Sequence, residues 1–556
     1  MMKKKSFYFH HTLALLGLSF ASNAWAVGGS ESTDLPSATP PARPAYLSDK
    51  KPTFSLPELP EAKTTPPNRE KMFIERYTFS GNTVFDESVL QDMAAPYTSR
   101  DVRIDELEAL RQHITRYYIE HGYINSGARI APDALQHGVL HIDIVEGKLD
   151  DVHVHGQGNL REDYIRHRLR SDEPLNVVQL QEKFQLLLTD PLIAGMKGSL
   201  LPSAHSNGSL LDVEITRARP YQVTLFSNNY RPPSIGAEGG GVSAWVSNLT
   251  GLGDRLDFTF QGSDGSQLYS GGWRVPLFDD GTQVYFNFTE GDSSVIESAQ
   301  ALNINSQVHN IEAGISHPII DSLRRKLTIG SSFALRQNDT TLLDHSFSLI
   351  SGVNSGQTQA TVVRFYQEHI ERMEKQVLAL RSTFSVGLDA LGATVQNAPY
   401  PSSEFFAWLG QGQYAHQLLD NTSQVVLRSN IQLSNHALLP LERMAVGGVN
   451  TVRGYRENEL VRDEGFNSSI EFHYPLFGEL TSAHHLTLMP FMDYGGAWNQ
   501  NASATYLHST GLGLNWKWNQ LEAEFYWAHK INAPQIRQHS NLQDEGIHFQ
   551  VKWEAF

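Results

Sequence analysis

The chain has 556 residues, no cysteine and a formal net charge of −16. The length allows several domains, and the lack of cysteine excludes both disulfide bonds and thiolate metal sites. A chain this acidic is a poor candidate for binding nucleic acid, because phosphate binding needs clustered lysine and arginine.

Residues 1–26 have the pattern of a secretory signal peptide. Lys3-Lys4-Lys5 precede a short apolar run from Leu13 to Phe20, and Ala24-Trp25-Ala26 predicts cleavage before Val27. The run is too short to cross a bilayer as a helix, which needs about 20 apolar residues, and no later run is long enough. The sequence therefore predicts a protein that leaves the cytoplasm and that enters a membrane, if it does so, as strands.

Residues 27–71 predict an extended linker. Nine of the 25 prolines of the chain lie between Pro36 and Pro67. Because proline interrupts both helices and sheets, this segment is expected to be a spacer or a segment that docks inside a larger domain.

Residues 72–147 predict a small α+β domain in the order strand, helix, helix, strand, strand. The expected elements are Ile74–Gly81, Asp86–Met93, 105–120, Ser126–Ala131 and Val139–Val145. The second helix carries an apolar stripe, and Asp105 with Glu108 suggests a capping arrangement at its start.

The same order recurs in residues 148–219, which indicates an internal repeat. The expected elements are Val152–His155, Glu162–Leu169, Val177–Leu188, 198–201 and Leu210–Ile215. Gly158-Asn159 follows the first strand of this unit as Gly81-Asn82 does in the first, 77 residues earlier. The alternative is two unrelated α/β domains with the same order.

Residues 220–556 lack helical periodicity and consist of short alternating segments. Leu512, Leu514 and Trp516, for example, alternate with Gly513 and Asn515. We count about sixteen segments, eleven before a long loop at 435–464 and five after it, and 338–375 is the hardest part to delimit. A soluble sandwich also alternates, but the secretion signal, the aromatic apolar face and the length favour a membrane barrel. The predicted fold class is thus α+β repeats followed by a 16-stranded antiparallel transmembrane β-barrel.

One arginine and one aspartate are candidates for a contact that locks the long loop inside this barrel. Arg453 lies in the loop, and Asp493 shares its strand parity with Phe491 and Gly495, so all three face the lumen if the alternate residues face lipid. We predict a two-pronged hydrogen bond from Arg453 to Asp493, with Phe491 stacked on the guanidinium and Gly495 leaving room for it. In a wet lumen the pair is expected to be worth about 1–3 kcal/mol.

Five motifs together carry a resemblance to a known family. They are Phe79-Ser80-Gly81-Asn82-Thr83-Val84-Phe85, Pro174-Leu175-Asn176, Asn248-Leu249-Thr250-Gly251-Leu252-Gly253-Asp254, Val452-Arg453-Gly454-Tyr455 and Phe491-x-Asp493-x-Gly495. Over about residues 72–556 the chain resembles the transporters of two-partner secretion, the haemolysin activator and filamentous haemagglutinin class of the barrel-assembly superfamily.

The resemblance implies two POTRA domains in the periplasm and an outer-membrane pore whose sixth extracellular loop is held inside by Arg453 and Asp493. Val452, Gly454 and Tyr455 belong to the loop motif. The POTRA domains would capture the N-terminal secretion domain of a large exoprotein by strand addition, and the exoprotein would leave unfolded and without ATP. Export could also activate a haemolysin or adhesin, and the residues do not identify which partner it is.

The resemblance also implies which other partners to expect. Outer-membrane lipid surrounds the barrel, and barrel-assembly machinery and periplasmic chaperones act during its biogenesis. No nucleic acid, cofactor, metal ion or catalytic residue is expected.

Two features depart from the family pattern. The proline content of 27–71 leaves no clear place for the N-terminal plug helix that many relatives carry. Phe556 is the terminal aromatic residue that serves as the C-terminal signal of such barrels, yet it shares parity with Lys552 and Glu554, whereas Trp553 keeps the apolar phase. A β-bulge near the end would restore the phase.

Three other functions remain as alternatives. A barrel-assembly insertase would share the loop motif, but such relatives typically carry three or five POTRA domains. A passive diffusion porin has no use for the two repeats. A secreted enzyme is disfavoured because the sequence lacks Gly-x-Ser-x-Gly, His-Glu-x-x-His and a phosphate loop. His484-His485 is interpreted as a strand-end pair, because neighbouring side chains in a strand point to opposite faces.

Overall fold

The structure is a computed structural model. It describes residues 70–171, 173–203, 208–278, 280–297, 300–348, 355–419, 422–532 and 541–555, with Tyr46, Phe54–Ser55, Ile350 and Val353. The chain divides into two compact units, one of Asp49–Pro220 with Thr250–Gly253 and one of the remainder. The expected signal peptide, most of the linker and Phe556 lie outside the described residues.

The first unit begins with an α+β domain built on a small sheet. Its elements are the strands Lys71–Ile74 and Arg76–Ser80, the helix Glu87–Ala94, the 3-10 turn Ala95–Tyr97, the strand Arg100–Arg103, the helix Ile104–Glu120 and the strands Gly127–Arg129, Leu135–Gln136 and Val139–Val145. Arg76–Ser80 pairs in parallel with Val139–Val145, which pairs antiparallel with Gly127–Arg129. The apolar stripe of the second helix packs on this sheet, with Leu110 and Ile114 fully buried.

The cap of this second helix differs from the expectation. The helix begins at Ile104, and the Glu106 carboxylate accepts a hydrogen bond from the backbone N–H of Arg103 at 2.9 Å. Glu108 instead accepts from the Arg111 guanidinium. A capping box usually starts with serine or threonine, so an arginine at the cap hid the pattern from sequence reading.

The second domain repeats the topology of the first. Its elements are the strand Leu149–His155, the helices Glu162–Leu169 and Val177–Leu187, and the strands Ile193–Pro202 and Ser209–Arg217. The first strand again pairs in parallel with the last, and the last pairs antiparallel with the middle one. The side chain of Asn176 caps the second helix by accepting from the backbone N–H of Val178 at 2.9 Å.

The glycine that matches the two domains is not the one expected. Gly81 and Gly156 both have φ of +79°. A Cβ atom at Gly81 would collide with the carbonyl oxygen of Ile144, and one at Gly156 with that of Ile215. Gly158, by contrast, has no atom within 4 Å of its Cβ position. The equivalent glycines are therefore Gly81 and Gly156, because both sites require a positive φ and a close backbone approach.

Two short pieces of the linker region are described. The backbone of Phe54–Ser55 pairs in parallel with Ile193–Pro202, at the outer edge of the second sheet. The hydroxyl of Tyr46 donates to Gln424 Oε1 at 2.6 Å, and its ring packs against Val377, Ala415 and Val426 on the inner wall of the barrel. Any interpretation of 27–71, whether as a spacer or as a docked segment, has to explain these two contacts.

The second unit is a closed antiparallel barrel. In the described chain its sixteen long strands are, in order, Tyr221–Asn228, Gly239–Ser247, Arg255–Ser263, Ser266–Pro276, Gln283–Ser294, Asn305–Asp321, Arg325–Leu342, Gln357–Arg372, Gln376–Leu388, Phe406–Gln417, Gln424–Ser434, Glu464–Phe477, His484–Trp498, Thr505–Trp518, Leu521–Lys530 and Ile547–Glu554. A two-residue strand, His345–Ser346, pairs antiparallel with the end of the seventh. The expected sixteen strands, eleven before the long loop and five after it, are confirmed.

Side chains alternate across the barrel wall as the sequence pattern indicates. Large apolar residues such as Trp516 and Trp553 are exposed on the outside, whereas polar residues such as Gln411 and Asn430 are buried inside. Trp553 keeps the apolar phase of the last strand. No helix among the described residues is both long and apolar enough to span a membrane.

Candidate functional site

The candidate site is the loop 435–463, which leaves the eleventh strand, folds into the barrel and returns to the twelfth. It contains the 3-10 turn Pro440–Glu442 and a short hairpin in which Met444–Val446 pairs with Leu460–Arg462. Its apolar residues form a buried cluster with the wall, made of Met444, Val446, Val452, Tyr455, Leu460, Ala497 and Leu507. The loop is thus a packed part of the interior.

Arg453 and Asp493 meet at the inner wall. Arg453 Nε donates to Asp493 Oδ2 at 2.8 Å, and Nη2 donates to Oδ1 at 2.6 Å. The backbone N–H of Arg453 also donates to Asp493 Oδ2 at 3.0 Å. The two-pronged geometry fixes the direction of the guanidinium as well as its position, which a single contact would not do.

A second carboxylate, which the sequence interpretation missed, completes this contact. Arg453 Nη1 lies 2.9 Å from Glu471 Oε1, and Nη2 donates to Ser469 Oγ at 2.8 Å. Both residues lie on the twelfth strand, whereas Asp493 lies on the thirteenth. We call Arg453 with Asp493 and Glu471 the tip anchor. The sequence did contain a signal for Glu471. It is a carboxylate at a lumen-facing position of its strand, between the outward-facing Ile470 and Phe472.

The tip anchor is dry, which differs from the expectation of a wet lumen. The side chains of Arg453, Asp493 and Glu471 are only 3%, 0% and 1% exposed. Removing one partner of such a buried pair typically costs about 3–5 kcal/mol, because the other charge stays buried without compensation. The estimate made for a solvated pair is therefore too small.

Aromatic rings line the guanidinium of Arg453. Its Cζ lies 3.6 Å from the ring centroid of Phe491 and 5.2 Å from that of Tyr526. Burial acts to lower the pKa of Arg453, but Asp493 and Glu471 outweigh burial and raise that pKa above its ordinary value. The arginine is thus permanently charged, and both rings favour that charge.

Gly495 makes room for a different neighbour from the one expected, and Gly454 contacts the wall through its backbone. A Cβ atom at Gly495 would lie 2.8 Å from side-chain atoms of Val446 and Val452, so this glycine accommodates the apolar part of the loop and not the guanidinium. Gly454 has φ of +91°, and its backbone N–H donates to His548 Nε2 at 3.1 Å. Glycine at both positions lets the loop lie close against the wall.

The remaining motif residues tie the tip of the loop to neighbouring strands and loops. The hydroxyl of Tyr455 lies 2.9 Å from the carbonyl oxygen of His508 and 2.6 Å from Asn532 Oδ1. Arg456, next to the predicted motif, pairs with Asp544 at 2.6 Å and with Glu297 at 2.8 Å. Tyr455 and Arg456 thus add four ionic or polar contacts at the tip to those of Arg453.

Comparison with known families gives two matches. Residues 207–517, more than half of the chain, match the family described as haemolysin secretion/activation protein ShlB/FhaC/HecB. Residues 72–147 match the POTRA domain of ShlB type.

Curated relatives cover most of the chain at low identity. The outer membrane transporter CdiB of Dickeya dadantii (strain 3937) is 21% identical over 467 residues, which are 81% of this chain and 81% of the relative. The heme/hemopexin transporter protein HuxB of Haemophilus influenzae (strain 86-028NP) is 22% identical over 442 residues, 75% of this chain and 76% of the relative.

Solved structures share the fold. CdiB from Escherichia coli superposes with a TM-score of 0.68 at 18% identity, covering 92% of this chain and 93% of that one. BamA from Haemophilus ducreyi lacking POTRA domains 1–3 gives a TM-score of 0.50 at 12% identity, covering 87% of this chain and 100% of that one. At these identities the likeness concerns the fold alone.

Proposed function

Because this chain belongs to the haemolysin secretion/activation family ShlB/FhaC/HecB, we propose that it exports a partner exoprotein through the lumen of its barrel. The protein lies in the outer membrane with its POTRA domains in the periplasm, and the relatives named above are transporters and not enzymes. The observation that carries the proposal is the position of the loop 435–463. A buried ion pair holds this loop inside the lumen, which is the path that an exported chain would take.

Recognition would occur in the periplasm by addition of a strand to a POTRA sheet. An exposed sheet edge offers a row of backbone N–H and C=O groups to an extended segment. The edge strand Ile193–Pro202 already pairs with Phe54–Ser55, which supports the ability of this edge to accept an added strand. In the first domain the outer strands are Arg76–Ser80 and Gly127–Arg129, and Gly127–Arg129 holds the place that matches Ile193–Pro202.

The exoprotein would then cross as an unfolded chain without ATP. Folding on the outside would make exit irreversible, because the folded product is too wide to return. Passage requires at least the tip of the loop to leave the lumen, so the tip anchor has to open during export. As a membrane barrel, the protein would itself depend on barrel-assembly machinery and periplasmic chaperones for insertion.

The test is export of the partner in cells that carry Arg453→Ala, Asp493→Ala or both. We expect secreted exoprotein to fall about tenfold or more in each single variant, because each leaves a buried charge unpaired, while the barrel is still inserted at a normal level. Arg462→Ala is the matched control, since among the described residues the guanidinium of Arg462 donates only to the carbonyl of the adjacent Val461. Unchanged secretion in both single variants would contradict the gating role.

The insertase alternative requires the seam between the first and last strands to open. Five residue pairs join these strands, from Thr224 with Glu554 to Asn228 with Gln550. The side chain of Asn229 extends the ladder, because Nδ2 donates to the carbonyl oxygen of Ile547 at 2.9 Å and Oδ1 accepts from the N–H of Phe549 at 2.8 Å. This reinforcement supports a closed seam and therefore export through the lumen.

The porin alternative predicts a steady open channel. A reconstituted export pore is expected to show brief openings when the loop leaves, and to bind the secretion domain of the exoprotein through the POTRA domains. A steady conductance together with no binding of that domain would favour the porin.

A further inference from the structure

A second buried ion-pair cluster lies at the start of the infolded loop. The Glu442 carboxylate lies 2.9 Å from Arg336 Nη1 and 2.8 Å from Arg364 Nη2. Arg364 Nη2 reaches both carboxylate oxygens, and Arg336 Nη1 also donates to the carbonyl oxygen of Leu441. Arg336 and Arg364 lie on the seventh and eighth strands. We call these three residues the base anchor.

The base anchor is nearly as dry as the tip anchor. The side chains of Glu442, Arg336 and Arg364 are 4%, 9% and 15% exposed. Burial alone would raise the pKa of Glu442, but the two arginines outweigh burial and hold that pKa below its ordinary value. Glu442 is therefore a charged group that needs both guanidinium groups to stay inside the barrel.

Apolar packing holds the same part of the loop. Leu438 and Leu439 are fully buried in a cluster with the wall residues Ala360, Val362, Phe405 and Ala407. These wall residues lie on the eighth strand and at the start of the tenth. The base of the loop is thus fixed by apolar contacts on the same side of the barrel as the ion pairs.

The two ends of the loop are also joined to each other. Asp463 Oδ1 accepts from the backbone N–H of Leu438 and from Arg443 Nε, each at 3.0 Å. Gln432, on the eleventh strand, donates to the carbonyl oxygens of Glu442 at 2.9 Å and Asp463 at 3.1 Å. Because these bonds do not involve the tip, the base can keep its position when the tip is released.

The contacts of the loop therefore fall into two groups on different parts of the wall. The base contacts strands seven, eight, ten and eleven, whereas the tip anchor contacts strands twelve and thirteen. Between them the short hairpin packs on strands thirteen and fourteen, through Met444, Val446 and Leu460 against Ala497 and Leu507. We propose that Glu442, held by Arg336 and Arg364, is a fixed pivot, so that the tip of the loop opens while its base stays on the wall.

Arg336 and Arg364 are then positioning residues for the loop, and they act on export only through Glu442. This deepens the proposed function and rests on it, since a pivot matters only if the loop has to move. It differs from a model in which the whole loop leaves the barrel as one body.

Single-cysteine labelling tests the pivot, and the natural absence of cysteine makes the signal specific. Val452→Cys reports on the tip and Leu441→Cys on the base, since both native side chains are fully buried. The labelling rate with a soluble maleimide is measured on the full-length protein in detergent, relative to the denatured protein. Each reporter is combined with Asp493→Asn, Glu442→Gln or the control Glu404→Gln, which removes an exposed carboxylate.

Asp493→Asn is expected to raise labelling at the tip about tenfold or more and to leave the base within about twofold. Glu442→Gln is expected to raise labelling at the base about tenfold, and Glu404→Gln to change neither. Equal increases in labelling at tip and base in Asp493→Asn would overturn the pivot. This comparison tests the pivot even if Glu442→Gln fails to fold.

The assay needs no exoprotein, so it separates the two proposals. If labelling follows the expected pattern but no exoprotein is exported, the proposed function is contradicted and the pivot still stands. If export is normal but Asp493→Asn raises labelling equally at tip and base, the pivot alone is contradicted. Arg364→Lys keeps the charge, so it should protect the base better than Arg364→Gln does; equal labelling of the base in the two would contradict positioning by charge.

Discussion

The tip and the base of the infolded loop are anchored with opposite polarity. At the tip, one cation of the loop lies between two carboxylates of the wall, Asp493 and Glu471. At the base, one carboxylate of the loop lies between two guanidinium groups of the wall, Arg336 and Arg364. A loop inserted in the reverse orientation would meet like charges at both walls, so polarity selects one docked orientation as well as stabilising it.

The anchors also differ in what surrounds the charge. The guanidinium of Arg453 lies against Phe491 and near Tyr526, whereas Glu442 is bound by hydrogen bonds beside an apolar cluster. The tip thus combines many polar contacts and two rings with the apolar packing of Val452 and Tyr455, and the base combines two arginines with the packing of Leu438 and Leu439. We infer that the tip is the part suited to reversible release.

Charge reversal is expected to have the largest effect on this comparison. Arg453→Glu would place three carboxylates together in a dry site, and we expect secreted exoprotein to fall about 100-fold. Combining it with Asp493→Arg restores opposite charges and should recover at least about tenfold of that loss. The measurement is secreted partner per inserted barrel, with Arg462→Glu as the control. A double variant no better than the single one would show that polarity does not select the orientation.

The two wall carboxylates at the tip should contribute unequally. Asp493 accepts three hydrogen bonds from Arg453, whereas Glu471 is shared with Arg428 and His473. We expect Asp493→Asn to weaken tip docking by about 2–3 kcal/mol and Glu471→Gln by about 1–2 kcal/mol. Labelling of Val452→Cys measures both, and a larger effect from Glu471→Gln would reverse the assignment of the main partner.

The ring next to the guanidinium should matter less than either carboxylate. Phe491→Leu keeps an apolar side chain but removes the ring face, so we expect a loss of about 0.5–2 kcal/mol in tip docking. Tyr526→Leu is the matched comparison, because that ring lies farther from Arg453 Cζ, and its effect should be smaller. If both substitutions give equal labelling at the tip, the rings act through packing alone.

The smallest expected effect is a pH dependence of the tip that the base lacks. Burial raises the pKa of Glu457 to about 8, although the backbone N–H of Val449 opposes this. Because the docked state holds this proton more tightly than the released state, docking should be strongest below the ordinary glutamate pKa and weaken as pH rises to about 8. We expect labelling at Val452→Cys to rise about two- to fivefold between pH 7.5 and pH 9, after normalisation to the denatured protein.

Glu457→Gln is the control for that dependence, because the amide does not titrate in this range. Labelling of its tip should be independent of pH, and labelling of Leu441→Cys should be independent of pH in both proteins. A base reporter that follows the same pH profile as the tip would indicate that the loop opens as one body.

Much of the fold could be predicted because its determinants are local. Alternation of apolar and polar residues, as in Leu512 to Trp516, is a property of a single strand, and the sixteen strands followed from it. The helices Glu162–Leu169 and Ile104–Glu120 lie at or within one residue of their expected bounds, because helical periodicity is also a local property. The details that differ from the prediction are local exceptions, such as Arg103 at the N-cap of the helix that contains Glu106.

The site was only partly predictable, because its partners depend on register and on where the loop returns. Asp493 could be proposed for Arg453 from parity and a family motif. Glu471 is brought beside them only by the pairing of the twelfth and thirteenth strands, in which it lies opposite Phe491. Glu442 meets Arg336 and Arg364, residues about 80 to 110 positions away in the chain, and no spacing rule links them.

The seam residue Asn229 helps to close the barrel between its first and last strands. Its side chain adds two hydrogen bonds to the one that its backbone N–H donates to Phe549, and Gln543 Nε2 donates to its backbone carbonyl oxygen at 2.5 Å. A ring closed in this way has a fixed circumference of sixteen strands, and the diameter of a barrel follows its strand number. Under the proposed function the bore is a size filter, which admits a cargo without long-range crosslinks and rejects one already closed by a disulfide into a compact domain.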